Sequence, residues 1–189
     1  MLTNVSSKFA PRHLIASAAS VALGTAMLTG AASAGDKDKM AFDAQVMATV
    51  EECAAISESC ATNLTDANAV LVFPEVIEAN LIVGGTGGKG ALIENGEITG
   101  YYKIGGASAG LQAGIDGSSQ VYIFDDEVAV NQLKDGDEWS LGGKADITVV
   151  DESASAQADT SGVLAYVFDG EGLEGGVSID VLRVWEAKS

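Results

Sequence analysis

The stretch AVLVFPEVIEANLIVGGTGGKGALIENGEITGYYKIGGASAGLQAG, residues 69–114, decides how the rest of the chain is read. Residues 70–73 form a short apolar run that Pro74 is expected to stop, because proline has no amide hydrogen to give to a sheet ladder. Further apolar runs follow at 81–83, 91–93 and 98–104. Asn95-Gly96, between the last two, is the two-residue turn that joins antiparallel hairpin strands. Gly85-Thr86-Gly87-Gly88-Lys89-Gly90 has the spacing of a dinucleotide-binding loop, but that loop must open a helix whose amides face a pyrophosphate. Here a strand and a turn come next. Lys89 is not followed by Ser or Thr, as a phosphate-binding P-loop requires. These glycines therefore read as backbone devices: Gly-Gly pairs inside strands mark bulges and bends that curl a sheet.

The same texture continues toward the C-terminus. Residues 121–124, 139–150, 163–168 and 177–184 read as strands, and the pair 105–106 is echoed at 142–143, each preceded by an aromatic (Tyr102, Trp139). Asp125, Asp126 and Glu127 place three acids at the start of a short helix reaching Leu133, where the helix dipole favours them. Upstream, residues 40–68 are helical in character. Met40, Phe42, Val46, Met47, Val50, Ala54 and Ile56 supply apolar spacings of three and four, and Ser59 is placed to cap a second short helix. The expectation is an α+β fold, mainly antiparallel β. It is a curled sheet, barrel or sandwich, with an N-terminal helix pair and one short helix near 125–133.

Residues 1–34 read as a secretory signal peptide. Lys8, Arg12 and His13 form a positive front, 14–29 is an apolar run too short to span a bilayer, and Ala32-Ser33-Ala34 offers the small-x-small cleavage pattern. The alternative is an uncleaved N-terminal anchor. On the cleaved reading, residues 35–189 form a single domain that is periplasmic or secreted. Cys53 and Cys60 are the chain's two cysteines, in a compartment that permits disulfides. Seven residues along one straight helix rise about 10 Å, too far for a bridge. A break near Ser57-Glu58-Ser59 brings them within reach. A disulfide, free thiols and a metal site all remain open on spacing alone.

Charge and composition exclude several functions. The chain carries 27 acidic against 10 basic residues, a formal net charge of −17. It repels nucleic acid and opposes simple docking on anionic headgroups. The one histidine, His13, leaves with the signal, so the remainder has no Ser-His or Cys-His pair and no His-based metal cluster. Asp135-Gly136-Asp137 and the acids at 125–127 do not fit the twelve-residue calcium loop and read as solvated turns. No catalytic residues, no metal, no cofactor and no enzyme activity are expected. An outer-membrane barrel is disfavoured by short strands and the lack of an aromatic girdle.

Several segments, in order, resemble the SYLF family, also called YSC84-like. They are residues 69–77 with Phe73-Pro74, 82–92 with Gly84-Gly85 and Gly88-Lys89-Gly90, and 100–114 with Tyr101-Tyr102-Lys103-Ile104-Gly105-Gly106. Later come Trp139 with Leu141-Gly142-Gly143, Ala165-Tyr166, and Gly172-Leu173 before Gly175-Gly176. Asp180-Val181 departs from the pattern, where a glycine-containing turn is expected. The resemblance covers residues 35–189 almost throughout. It implies a lipid-binding module whose partner is a lipid or membrane surface, with phosphoinositide and actin binding among eukaryotic relatives. Actin is an unlikely partner for an exported chain. Lys89, Lys103 and Lys144, each beside a Gly-Gly break, then form a local positive spot, with Tyr101 and Tyr102 as amphipathic contacts. The competing reading is scattered surface lysines. An envelope structural or protein-interaction domain that has lost lipid binding is the functional alternative.

Overall fold

The computed structural model describes residues 34–80, 84–108, 114–136, 139–140, 147–150, 162–169, 172–173 and 182–188. The expected signal, the strand at 81–83, most of the strand at 177–184, and Lys144 lie outside the described residues. All described residues belong to one compact unit, residues 33–189.

Two helices come first, α1 (Ala34–Ile56) and α2 (Glu58–Thr65). The break between them falls at Ser57, inside the expected 57–59, and the cap of α2 is Ser57, not Ser59. Ser57 is extended at φ −136°, and its hydroxyl accepts from the Cys60 amide at 3.2 Å, satisfying one of the donors a helix start leaves open. The change of direction brings the Cys53 and Cys60 Cα atoms to 5.9 Å, and the two sulfurs are bonded. The packed stripe of α1 is Phe42, Val46, Thr49 and Cys53, a run of spacings of four and three. Met40, Met47 and Ile56 point outward, at 58%, 41% and 41% exposure. Thr49 belongs to the buried stripe because its hydroxyl is satisfied by the Gln45 carbonyl at 3.0 Å.

Among the described residues nine strands form one sheet: β1 (Ala69–Asn80), β2 (Gly84–Glu94), β3 (Glu97–Ser108), β4 (Gly114–Phe124), β5 (Trp139–Ser140), β6 (Ile147–Val150), β7 (Val163–Asp169), β8 (Gly172–Leu173) and β9 (Arg183–Glu186). The order is β5-β9-β3-β2-β1-β4-β7-β6, with β8 added to β7. Every pairing is antiparallel except β6 with β7, which is parallel. The α+β, mainly antiparallel architecture stands, as one open sheet among the described residues. The Asn95-Gly96 turn joins β2 to β3 with φ values of +52° and +80°, the left-handed pair that a two-residue hairpin needs. Helix α3 (Glu127–Asp135) follows β4, capped by Asp126, whose carboxylate accepts from the Ala129 amide at 2.8 Å.

Pro74 does not end its strand. β1 runs on to Asn80 through a register shift around Pro74, on both its β2 and its β4 side. A bulge leaves an unpaired residue in the ladder, so the missing amide costs nothing there. The Pro74 carbonyl accepts from the Ser119 hydroxyl at 2.9 Å.

The sheet is strongly curled. Phe124 on β4 and Trp139 on β5 have ring centroids 5.5 Å apart, yet their strands stand five places apart in the sheet order. On a flat sheet that separation is roughly 24 Å. The inner, concave face holds Leu71, Phe73, Leu92, Ile104, Tyr122, Phe124 and Val184, closed by Trp139 and by Val130 and Leu133 of α3. The outer face packs Val70, Val72, Ala91, Val121, Ile123, Tyr166 and Phe168 against Val46, Cys53 and Cys60 of the helix pair. Gly90 is required by this packing, since a Cβ there would lie 2.4 Å from the Phe73 ring and 2.5 Å from the Val72 carbonyl oxygen.

Candidate functional site

Helices α1 and α2 cover only part of the outer face. Three ties hold them there. The Tyr166 hydroxyl lies 2.8 Å from the Ser59 hydroxyl and accepts from the Asn63 amide at 2.7 Å. The Tyr101 hydroxyl donates to Asp43 at 2.8 Å. Lys39 pairs with Asp43 at 2.9 Å and stands 4.9 Å from the Tyr101 ring centroid. The Tyr101 hydroxyl, and then Asp43, hold the Lys39 ammonium above its ordinary pKa. Partial burial works to raise the Asp43 pKa, but the hydrogen bonds from Lys39 and Tyr101 outweigh it, and the carboxyl stays below its usual value.

Beyond Phe42 and Gln45 of α1, no described element covers the sheet's outer face, which forms a groove of about 590 Å³. Cross-strand register builds it. Glu75, Lys89, Lys103 and Trp185 make one row across β1, β2, β3 and β9. Ile77, Gly87, Gly105 and Arg183 make the next row. The floor is shallow because Gly87 carries no side chain and a Cβ there would meet only the Ile104 carbonyl oxygen, at 4.0 Å. The Trp185 ring lies over Gly105, where a Cβ would come within 2.9 Å of it. Ile77 is 44% exposed, and Lys89 and Lys103 are exposed at the helix-side end of the groove.

The residues singled out from the sequence thus separate. Lys89 and Lys103 are direct cross-strand neighbours and line the groove together. Tyr101 points to the same face but is committed to α1 through Asp43 and a tilted contact with Phe42 at 6.2 Å. Tyr102 is a correction. Strand alternation turns it to the inner face, where it is 5% exposed and packed in the core. Burial raises its pKa, assisted by Glu186 and Glu94. Lys144 lies outside the described residues. Trp185, Ile77 and Phe42 line the groove and were not singled out beforehand. Only the pairing of β9 with β3 brings Trp185 beside Lys103, and no local signal in the last strand announces that pairing.

The groove is mostly apolar, with Gln45 and Thr86 in its lining and a charged row of Glu75, Lys89 and Lys103 at one end. Among the described residues no group of three or more His, Cys, Asp or Glu side chains converges as a metal site. No helix of the described residues is long and apolar enough to cross a membrane.

Residues 105–189 match the family model Ysc84, described as "Las17-binding protein actin regulator". The match starts inside β3 and runs through β4, α3 and the remaining strands to β9. Trp185 falls within it, whereas β1, β2, Lys89 and Lys103 precede it. A search of curated proteins finds no match.

Proposed function

Because residues 105–189 carry a domain of the Ysc84 (SYLF) family, a family linked to lipid and actin binding and not known for enzymes, we propose that this protein is an exported, non-catalytic lipid-binding module. Export rests on the charged front, apolar run and Ala32-Ser33-Ala34 of the leader. Localisation to the periplasm or the medium follows from that reading. The observation that carries lipid binding is the groove beside Trp185. A mostly apolar groove of about 590 Å³ lies on the part of the outer sheet face that the helix pair leaves open, within the size range of small-ligand sites.

The test is co-sedimentation of the purified protein with neutral and with anionic liposomes, together with native mass spectrometry for retained lipid. Association with either lipid class, or a lipid adduct, is the expected result; absence of both sinks the reading. The family description favours a second reading, a protein-interaction domain. Pull-down from envelope extract separates the two, since this version predicts a specific protein partner and no lipid.

A further inference from the structure

Lys89 and Lys103 stand directly opposite each other on β2 and β3. Both are exposed, and among the described residues neither forms an ion pair. Like charges in register on neighbouring strands destabilise the pairing. Glu75, opposite Lys89 on β1, is exposed and makes no ion pair with it. In a chain of net charge −17, two adjacent lysines at the end of a groove, with the single carboxylate of Glu75 in the same row and not ion-paired to them, leave a local positive excess. It is the kind of local feature that a bound anion stabilises.

We infer that the groove takes a single long-chain fatty acid, its carboxylate between Lys89 and Lys103 and its alkyl chain along Ile77, Gly87 and Gly105 against Trp185. This rests on the lipid-binding reading and narrows it to a ligand class and a mode. A carboxylate has two oxygens, so each can accept from one ammonium, and the standing repulsion becomes two charge-assisted hydrogen bonds. The groove volume suits one chain; a diacyl phospholipid would leave its second chain outside. Charge also favours monomer capture over membrane docking. Within a Debye length of about 10 Å, where charges are least screened, the acidic chain and an anionic bilayer repel, whereas a single fatty-acid carboxylate meets the lysine pair at contact.

The purified protein is titrated with sodium palmitate below its micellar concentration, followed by calorimetry and by tryptophan fluorescence. One site per chain is expected. The double substitution Lys89→Gln/Lys103→Gln weakens binding about tenfold or more. Gly87→Leu fills the floor and weakens it comparably with both lysines intact. Each variant keeps the parent melting temperature to within a few degrees, which separates lost binding from lost folding. No palmitate uptake, or equal uptake by parent and both variants, overturns the inference. Vesicles of phosphatidylcholine and phosphatidylglycerol form a parallel arm. Vesicle binding without palmitate uptake removes the fatty-acid site and leaves lipid binding standing; neither kind of binding removes both.

Discussion

One sheet face carries two unlike halves. On one half, Tyr166, Phe168, Val121 and Ile123 lie under a helix pair that is bridged by Cys53–Cys60 and pinned by hydroxyl contacts to Tyr166 and Tyr101. On the other half, β1, β2 and β3 present Ile77, Gly87 and Gly105 to the surface. The backbone ladder is continuous across both. What differs is side-chain volume: large buried residues need a cover, whereas glycines leave little apolar surface to cover and so tolerate exposure. A rigid, covered half therefore holds an open half in a fixed shape, a favourable basis for a preformed site.

The contrast can be broken most severely at the covered half. Replacing Cys53 and Cys60 with Ala, or reducing the bridge, is expected to lower stability by about 2–4 kcal/mol. Chemical denaturation with and without reductant measures it, and the α1–α2 corner should become the first region to exchange amide hydrogens. Next is Gly90→Ala, where the new Cβ meets the Phe73 ring and the Val72 carbonyl. Overpacking of this kind costs about 1–3 kcal/mol, read as a lower midpoint in urea.

Tyr166→Phe removes the hydroxyl that bonds Ser59 and Asn63 and is expected to cost about 1 kcal/mol, with a calorimetric melt as the check. A smaller effect is pH-linked. The Lys134 ammonium, and then the Thr99 hydroxyl, hold the Glu94 carboxyl below its ordinary value of 4.5. A depressed folded-state pKa stabilises the fold above the unfolded value and loses that contribution as pH falls through the folded one. The pair is partly exposed, so about 1 kcal/mol or less is at stake. Melting temperature should fall below about pH 4.5, and Lys134→Ala should flatten part of that slope. The smallest effect belongs to the open half. Gly87→Ala enters nearly empty space and should change stability by no more than about 0.5 kcal/mol. The ratio of the Gly90 and Gly87 effects measures how differently two glycines of one motif are used.

Much of the architecture was legible along the chain. Asn95-Gly96 specified its hairpin because the left-handed turn is a local requirement. Asp126 and the neighbouring acids marked the start of α3 because a helix N-terminus attracts them. The motif at residues 85–90 read as a bend between strands at 81–83 and 91–93; instead it lies inside β2, every residue paired in unbroken register with β3. Pro74 misled because a bulge, set by neighbours on both sides, relieves the missing amide. The cap at Ser57 instead of Ser59 is a shift of two residues, within what local propensity leaves open.

The candidate site was legible only in part. Lys89 and Lys103 were singled out, but the two-residue turn alone would set Lys89 opposite Tyr102; a register shift between Leu92 and Ile93 moves it opposite Lys103. Tyr102 was assigned to the same site although alternation from Lys103 sends it to the other face. Trp185 was missed because it is far away in sequence and reaches Lys103 only through the β3–β9 pairing.

By itself the sequence determined the class of fold, the hairpin, the capped helices, the acidity and the absence of a histidine beyond residue 13, because these are composition or local stereochemistry. Only the tertiary structure decided that the sheet curls far enough to bring Phe124 against Trp139. It also decided that β6 pairs parallel and that the helix pair leaves a glycine-floored groove uncovered. Those outcomes depend on which strands become neighbours, and long-range pairing is set by the summed packing of residues remote in sequence, which no single segment encodes.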